Sequence, residues 1–229
     1  MSYYAVLMGD LVDSEGYADP EQLHAAFNAA IERQNAALAA EMMSPLTITL
    51  GDEFQGLLTS LVAAAWTARQ IRFDLLRQDI DCRFVIGMVD LKTPINTERA
   101  WNMMGPGFAA ARERLGEKRA PSRYRFSLSQ DPLLETMLEA IGASLTAIER
   151  GWSKAQREDI IHLLDGASVA DVASARGVGV QNVYKVRSAG DYDLYTTQWD
   201  AVRAALIELD KRHDLPGADT WCTYSFTPA

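Results

Sequence analysis

The first 150 residues alternate between strand-length apolar runs and amphipathic helical stretches, and this order restricts the fold more than any other feature. Apolar runs typical of β-strands lie at 3–12, 45–58 and 82–91, and a Gly-Asp turn divides the second into two strands. Helical periodicity occupies 20–41 and 61–78. The order strand–helix–strand–strand–helix–strand predicts an α+β fold, the split βαβ sandwich of the ferredoxin-like class.

Further elements continue this domain and then give way to helices. A helix is predicted at 108–115, a last strand at 122–129 and a helix from Pro132 to about Glu149. After Gly151 no strand pattern remains. Helix-like segments follow at 153–165, 168–188 and 196–212.

This change of pattern predicts two domains and a tail. We expect a first domain at 1–150, a small all-α domain at 151–215 and a C-terminal tail at 216–229. The tail is too apolar for a disordered end and should pack on one of the domains; its large apolar residues are Trp221, Tyr224 and Phe226.

Composition narrows the class of protein. A formal net charge of −9 and a pI of about 4.8 argue against broad nonspecific binding to nucleic acid or anionic membranes. The two cysteines, Cys82 and Cys222, are too few for a disulfide framework and are typical of free thiols in a reducing compartment. The sequence has neither a signal-peptide pattern nor an apolar stretch of membrane-spanning length, so we expect a soluble cytoplasmic protein without membrane partners.

Two acidic motifs indicate a functional site. MGDLVDS at 8–14 and TLGDEFQ at 49–55 each place an Asp, Asp10 and Asp52, where an apolar run becomes a polar turn. A single Gly-Asp turn is usually structural, because Asp bonds its own backbone and Gly tolerates positive φ. Two such acids at the ends of adjacent strands would converge at one sheet edge. Such a pair suits Mg²⁺, which commonly arrives with the phosphates of a nucleotide.

These motifs resemble the palm of class III nucleotide cyclases, and RFVIGMV at 83–89 resembles that family's fourth strand. The resemblance covers about the first 120 residues. It implies that Asp10 and Asp52 form the metal pair and that the Leu11 carbonyl adds a backbone ligand. It also implies nucleotide-binding roles for the loop after the first strand, the hairpin turn and the later helix; these residues are Val12, Asp13, Ser14, Gly51 and Arg112.

Two departures from the cyclase pattern favour ligand binding over catalysis. Ile48 stands where cyclases carry a Lys that reads the purine, and Ala109 stands where they carry an Asn. The family's Arg could be Arg112 or Arg114. We therefore assign no catalytic residue and lean towards a protein that is not an enzyme. The alternative is an active cyclase or related phosphoryl-transfer enzyme that uses Asp10 and Asp52 with Mg²⁺.

The segment 168–190 has the spacing of a helix–turn–helix. Ala173, Gly177 and Val183 fit the close helix contact, the turn and the buried position of such a unit. The preceding segment resembles the lead helix of sigma-factor-like DNA-binding domains. The residues expected to face DNA are Gln181, Asn182, Tyr184, Lys185 and Arg187. The other interpretation is a three-helix bundle that only packs or dimerises.

Together these features resemble the SatD family of bacterial proteins over nearly the whole chain. The favoured hypothesis is a transcription regulator in which a nucleotide-sensing, Mg²⁺-binding palm influences a DNA-binding helix–turn–helix. Because cyclase palms usually pair head to tail, the resemblance also implies a homodimer. A further alternative is a non-catalytic protein-interaction module.

Overall fold

The computed structural model describes residues 3–221 and residue 226, and this part of the chain contains one sheet of five strands. The strands are β1 (Tyr3–Leu11), β2 (Met42–Ile48), β3 (Glu53–Leu58), β4 (Cys82–Asp90) and β5 (Tyr124–Ser127). Their order in the sheet is β2-β3-β1-β4-β5. Neighbouring strands are antiparallel except β4 and β5, which are parallel.

Eight α-helices connect and follow these strands in the described part. They are α1 (Pro20–Ala37), α2 (Leu61–Leu76), α3 (Phe108–Gly116), α4 (Pro132–Gly151), α5 (Lys154–Leu164), α6 (Val169–Arg176), α7 (Val180–Ala189) and α8 (Tyr192–Arg212). The first six elements run β1-α1-β2-β3-α2-β4, so the predicted ferredoxin-like order is confirmed, and β5 extends the sheet beside β4 after α3.

Local sequence signals explain where the first helix starts. The Asp19 side chain accepts a hydrogen bond from the Gln22 amide (3.0 Å), with Pro20 in the first turn of α1. The first helix was predicted to reach residue 41, but α1 ends at Ala37. A short 3-10 turn at Ala39–Glu41 leads directly into β2.

The two faces of the sheet carry different layers, because side chains alternate between faces along each strand. On one face Ala5 and Leu7 belong to the main core together with residues of α1 and α2. On the other face Val6 and Met8 pack with Ala111 of α3. The sheet therefore lies between α1 and α2 on one side and α3 on the other.

Helices α5, α6 and α7 enclose a small core of their own. Gly177 ends α6 with φ of 64°, the left-handed conformation expected for it, and three residues lead to α7. Ala173 and Val183 are buried as predicted, and they pack with Leu163 and Val172.

Helix α8 joins the C-terminal part to the rest of the molecule. Its residues Trp199 and Leu206 lie in the same buried cluster as the strands of the sheet. The division at residue 150 stays a prediction, and the buried core is continuous across it. The tail packs as expected at Trp221 and Phe226, which are buried, whereas Tyr224 lies outside the described residues.

Two remaining predictions concern the whole chain. No helix in the described part is long and apolar enough to cross a membrane. Cys82 is a buried free thiol, and Cys222 lies outside the described residues.

Candidate metal-binding and nucleotide-binding site

The pairing of β1 with β3 brings the two acidic motifs to the same end of the sheet. Asp10 lies opposite Glu53 in the antiparallel register. Next to this pair, the Leu11 amide donates a hydrogen bond to the Asp52 carbonyl (2.9 Å). Asp10 and Glu53 are therefore neighbours on adjacent strands, and Asp52 immediately precedes Glu53 in the hairpin turn.

Asp10 is a buried carboxylate beside a buried cation. Only 3% of the residue is exposed, and Arg83, opposite it on β4, places Nε 2.9 Å from Asp10 Oδ2 without aligning its N–H for a hydrogen bond. Burial raises the pKa of Asp10 to about 6; Arg83 opposes this effect, whereas the charges of Asp52 and Glu53 add to it. A bound cation would relieve this unfavourable burial of negative charge.

Asp52 is held by the loop that follows β1. The Ser14 hydroxyl donates a hydrogen bond to Asp52 Oδ2 (2.8 Å), and Asp13 takes the left-handed conformation with φ of 55°. The Ser14 hydroxyl therefore orients Asp52, and the predicted contact of Ser14 with a nucleotide stays a prediction.

The predicted backbone cradle for phosphate is smaller than expected. The Val12 amide donates to the Asp81 carbonyl (2.9 Å), so the fold already uses that donor. Since one amide serves one strong hydrogen bond, Val12 is not available to a phosphate. The amides of Asp13 and Ser14 are the remaining candidates in this loop.

The donor set fits Mg²⁺ only together with a phosphate ligand. Across residues 3–221 and 226, no group of three or more His, Cys, Asp and Glu side chains has the arrangement of a metal site. Mg²⁺ in nucleotide sites typically takes one or two carboxylates and completes its coordination with phosphate oxygens and water. Asp10 and Asp52 could supply the two carboxylates, and the Leu11 carbonyl the predicted third ligand.

Two cavities lie on either side of the β2–β3 hairpin. The first, of about 360 Å³, is lined by Ser14, His24, Gly51 and Asp52 among others. The second, of about 310 Å³, lies on the α3 side of the sheet and is lined by Met8, Glu53, Gln55, Trp101 and Arg112 among others. Leu50, at the tip of the hairpin, borders both. Asp52 therefore borders the first cavity and Glu53 the second, whereas the buried Asp10 lines neither.

Arg112 borders the second cavity, as a nucleotide-binding residue could. It is exposed on α3 and donates to Gln55 Oε1 (3.2 Å). The other candidate, Arg114, instead pairs with Glu135 of α4. Ile48 packs against the core, and Ala109 is exposed on α3. Neither side chain can donate a hydrogen bond to a nucleotide.

Three residues around this site were not predicted from the sequence. Arg83 is placed against Asp10 by the β1–β4 register, which the apolar pattern does not specify. Gln55 and Trp101 line the second cavity because residues 91–107 cross the sheet towards β3. The sequence places Trp101 in a loop and gives no signal that its side chain borders a cavity.

Most of the predicted DNA-facing residues share one exposed surface of α7. Gln181, Asn182, Tyr184 and Lys185 are exposed, whereas Val183 between them is fully buried.

Arg187 differs from the other four. It is half-buried, donates to Asp193 Oδ1 (2.6 Å) and lies 4.6 Å from the centre of the Tyr192 ring. Its guanidinium is engaged within the protein, so the exposed surface of α7 offers four of the five predicted residues.

Comparison with known proteins gives a family match and distant structural likenesses. The model of the SatD family matches residues 3–176. A bacterial light-regulated adenylyl cyclase shares 15% identity, with a TM-score of 0.39, over 55% of this chain and 43% of that chain. The guanylyl cyclase Cya2 shares 12% identity, with a TM-score of 0.35, over 49% of this chain and 68% of that chain.

Another solved structure extends over more of the chain. A regulator of polyketide synthase expression from Bifidobacterium adolescentis shares 15% identity, with a TM-score of 0.25, over 93% of this chain and 83% of that chain. The chain spans less than half the length of the light-regulated cyclase that it matches. No curated protein sequence matches the chain.

Proposed function

The chain belongs to the SatD family, and we propose that it is a regulator: a palm, formed by the sheet with α1–α4, binds a Mg²⁺–nucleotide complex, and helices α5–α8 bind DNA. The observation that carries the nucleotide half is the buried Asp10 opposite Glu53 and near Asp52, at the end of the sheet where two cavities border the β2–β3 hairpin. At such a site the two carboxylates would coordinate Mg²⁺, and phosphate oxygens of the nucleotide would complete the coordination.

In this proposal each residue near the hairpin has a definite role. Asp10 and Asp52 hold the metal, and Ser14 orients Asp52 through its hydrogen bond. Gly51, with φ of 77°, forms the turn that borders the first cavity, where phosphates would lie. Arg112 supplies a cation at the second cavity.

The apolar residues Ile48 and Ala109 favour a site that binds a nucleotide without converting it. Catalysis of phosphoryl transfer depends on groups that position the nucleotide and stabilise charge in the transition state. Ile48 and Ala109 supply neither, so the palm is better suited to sensing a nucleotide than to converting it.

The DNA half of the proposal depends on α7. The helix is anchored by Val183 and presents amide, phenol and ammonium groups on its exposed surface. Gln and Asn side chains can pair with adenine edges, and Lys can contact phosphate or guanine. We also propose a homodimer, since a two-fold axis would present two copies of α7 to two half-sites.

Calorimetry of the full chain with ATP, GTP, CTP and UTP, each with Mg²⁺, tests the nucleotide half. We expect at least one nucleotide to bind, and Asp52→Asn to raise its Kd by about tenfold or more, because a neutral amide is a poor Mg²⁺ ligand. Asp191→Asn, an exposed change in the C-terminal part where Asn tolerates the left-handed backbone, is the control and should leave Kd unchanged. Absence of binding, or unchanged binding by Asp52→Asn, would refute the sensing role.

A further inference from the structure

We propose that the cavity on the α3 side of the hairpin holds the base of the nucleotide, stacked on Trp101 within a single protomer. This inference rests on the proposed function and adds the subsite and its recognition chemistry. It concerns residues 91–107, which we call the strap because they leave β4, cross the sheet and return to α3.

Backbone hydrogen bonds join the two ends of the strap. The Asp90 amide donates to the Pro106 carbonyl (3.0 Å), and the Lys92 amide donates to the Met104 carbonyl (2.9 Å). These two bonds bring the ends of the strap together, so its middle projects from the end of β4 as a compact loop.

The middle of the strap is fixed to β2 and β3 by side chains. Gln55 Nε2 donates to the Ala100 carbonyl (2.6 Å), and the Ala100 amide donates to Thr47 Oγ1 (2.9 Å). Ala100 is also buried. Because both backbone groups of Ala100 are held, the next residue, Trp101, has a defined position beside the cavity.

The cavity wall has the composition of a stacking site for a flat ring. Trp101 is 52% exposed, unusual for so large an apolar side chain, and it borders the cavity with Met8, Met103 and Leu115. Aromatic rings stack on nucleobases irrespective of base identity, and the thioether of Met adapts to the shape of a bound ring.

The cavity is also lined by polar side chains that could hydrogen-bond the edge of a nucleobase and the attached sugar. The Gln55 amide is already committed to Ala100 and Arg112, so it acts as a spacer that positions the Arg112 guanidinium. Arg112 keeps further N–H donors for a ligand, and the Glu53 carboxylate can accept from a base amine.

The dimensions of the cavity and its place in the site agree with this assignment. A volume of about 310 Å³ lies at the lower end of the range of about 300–1,000 Å³ for small-molecule pockets. It suits a base or nucleoside better than a whole nucleotide. Glu53, which borders the cavity, lies opposite Asp10, so the phosphates of the same ligand would extend towards the metal-binding carboxylates.

The test separates the base from the phosphates. Calorimetry of the full chain compares the tightest-binding of the four Mg²⁺–nucleoside triphosphates with Mg²⁺–tripolyphosphate, which has phosphates but no base. We expect Trp101→Ala to raise the Kd of the nucleotide about tenfold and to leave the Kd of tripolyphosphate unchanged. Trp101→Phe, which keeps a stacking ring, should restore most of the affinity.

The matched control lies in the same strap. Met104 is 69% exposed and does not line this cavity, so Met104→Ala should leave both Kd values unchanged. Equal nucleotide affinity in wild type, Trp101→Ala and Trp101→Phe would overturn the base subsite and leave the sensing role intact. A parallel loss of nucleotide and tripolyphosphate affinity in Trp101→Ala would also overturn it. If wild type binds no nucleotide, the sensing role fails and the subsite fails with it.

Discussion

Gly142 allows α4 to lie directly against β5. A Cβ atom at this position would lie 2.2 Å from the Tyr124 carbonyl oxygen and 3.1 Å from Ser122 Oγ. The near atom belongs to the backbone of β5, so it can move aside only if the strand itself shifts. The absence of a side chain at Gly142 therefore sets the distance between helix and strand.

We accordingly expect Gly142→Ala to lower the free energy of unfolding by roughly 1–3 kcal/mol, the usual cost of overpacking. Gly151, the last residue of α4, has open space where a Cβ atom would lie, with nothing within 4 Å, so Gly151→Ala is the matched control. It should be neutral or slightly stabilising, because Ala favours helix over Gly. Urea denaturation of the two variants distinguishes them, and equal midpoints would contradict this account of the packing.

The same scale shows what single residues in the sequence can and cannot predict. Asp10 and Asp52 could be proposed as neighbours because each follows an apolar run of strand length and the two runs were expected to form adjacent strands. Arg83 could not be assigned to Asp10, since the register of β4 against β1 is fixed by packing on both faces of the sheet. The engaged Val12 amide was also beyond prediction, because its partner Asp81 is distant in the sequence and precedes a different strand.

Among the helices, α7 allows the most specific prediction about DNA binding. Lys185 is exposed on the helix and forms no hydrogen bond or ion pair with the rest of the described chain, so its ammonium group is available to a phosphate. We expect Lys185→Ala to weaken DNA binding and to reduce the slope of log K against log salt concentration by about 1.

Fluorescence anisotropy with labelled genomic fragments over a series of salt concentrations measures both quantities. Lys211→Ala, an exposed change in the last turn of α8, is the control for a simple loss of positive charge. If both variants weaken binding equally, or if wild type binds no fragment, α7 is not the DNA-contacting helix.

Element order was predictable because the period of apolar residues differs between strands and helices. The ends of elements and the partners of their side chains were less so. The apolar pattern carried the first helix to residue 41, whereas α1 stops at Ala37 and a tight turn follows. Arg187 has a suitable position on α7, but it contacts Asp193 and Tyr192 at the start of α8. The spacing of residues within α7 could not predict these contacts.

At the scale of the whole molecule, a buried carboxylate joins the palm to the C-terminal helices. Glu149 of α4 accepts hydrogen bonds from Arg72 Nε (2.8 Å), the Tyr124 hydroxyl (2.7 Å) and the Tyr195 hydroxyl (2.7 Å). These donors come from α2, β5 and α8. Because one side chain accepts hydrogen bonds from α2, β5 and α8, the sheet domain and the C-terminal helices share a buried polar network.

Asp210 makes a second connection between the two parts. This residue of α8 accepts hydrogen bonds from the Leu61 amide at Oδ1 (2.7 Å) and the Val62 amide at Oδ2 (3.3 Å), so it caps the first turn of α2 in the palm. Burial raises the pKa of Asp210 to about 7, although the two backbone donors oppose the shift.

This raised pKa predicts a specific dependence of stability on pH. Between about pH 4 and pH 7 folded Asp210 holds a proton that the unfolded chain, with a pKa of 3.8, has released, so its contribution to the free energy of unfolding falls as pH rises. Above about pH 7 both states are ionised and the contribution becomes constant. The total change is on the order of 4 kcal/mol, since each pKa unit corresponds to about 1.4 kcal/mol.

Asp210→Asn removes the titration and keeps a side-chain carbonyl for the Leu61 amide, so it should shift stability by a constant amount and lose this part of the pH slope. Urea denaturation at intervals from pH 4 to pH 8 gives the difference between wild type and variant, which we expect to decrease through this window. Glu208→Gln, an exposed change on the same helix, is the control and should keep the pH slope of the wild type. If the free energies of unfolding of wild type and Asp210→Asn instead change in parallel with pH, the pKa of Asp210 is not raised by folding. Asp210 would then cap α2 without adding to the pH dependence of stability.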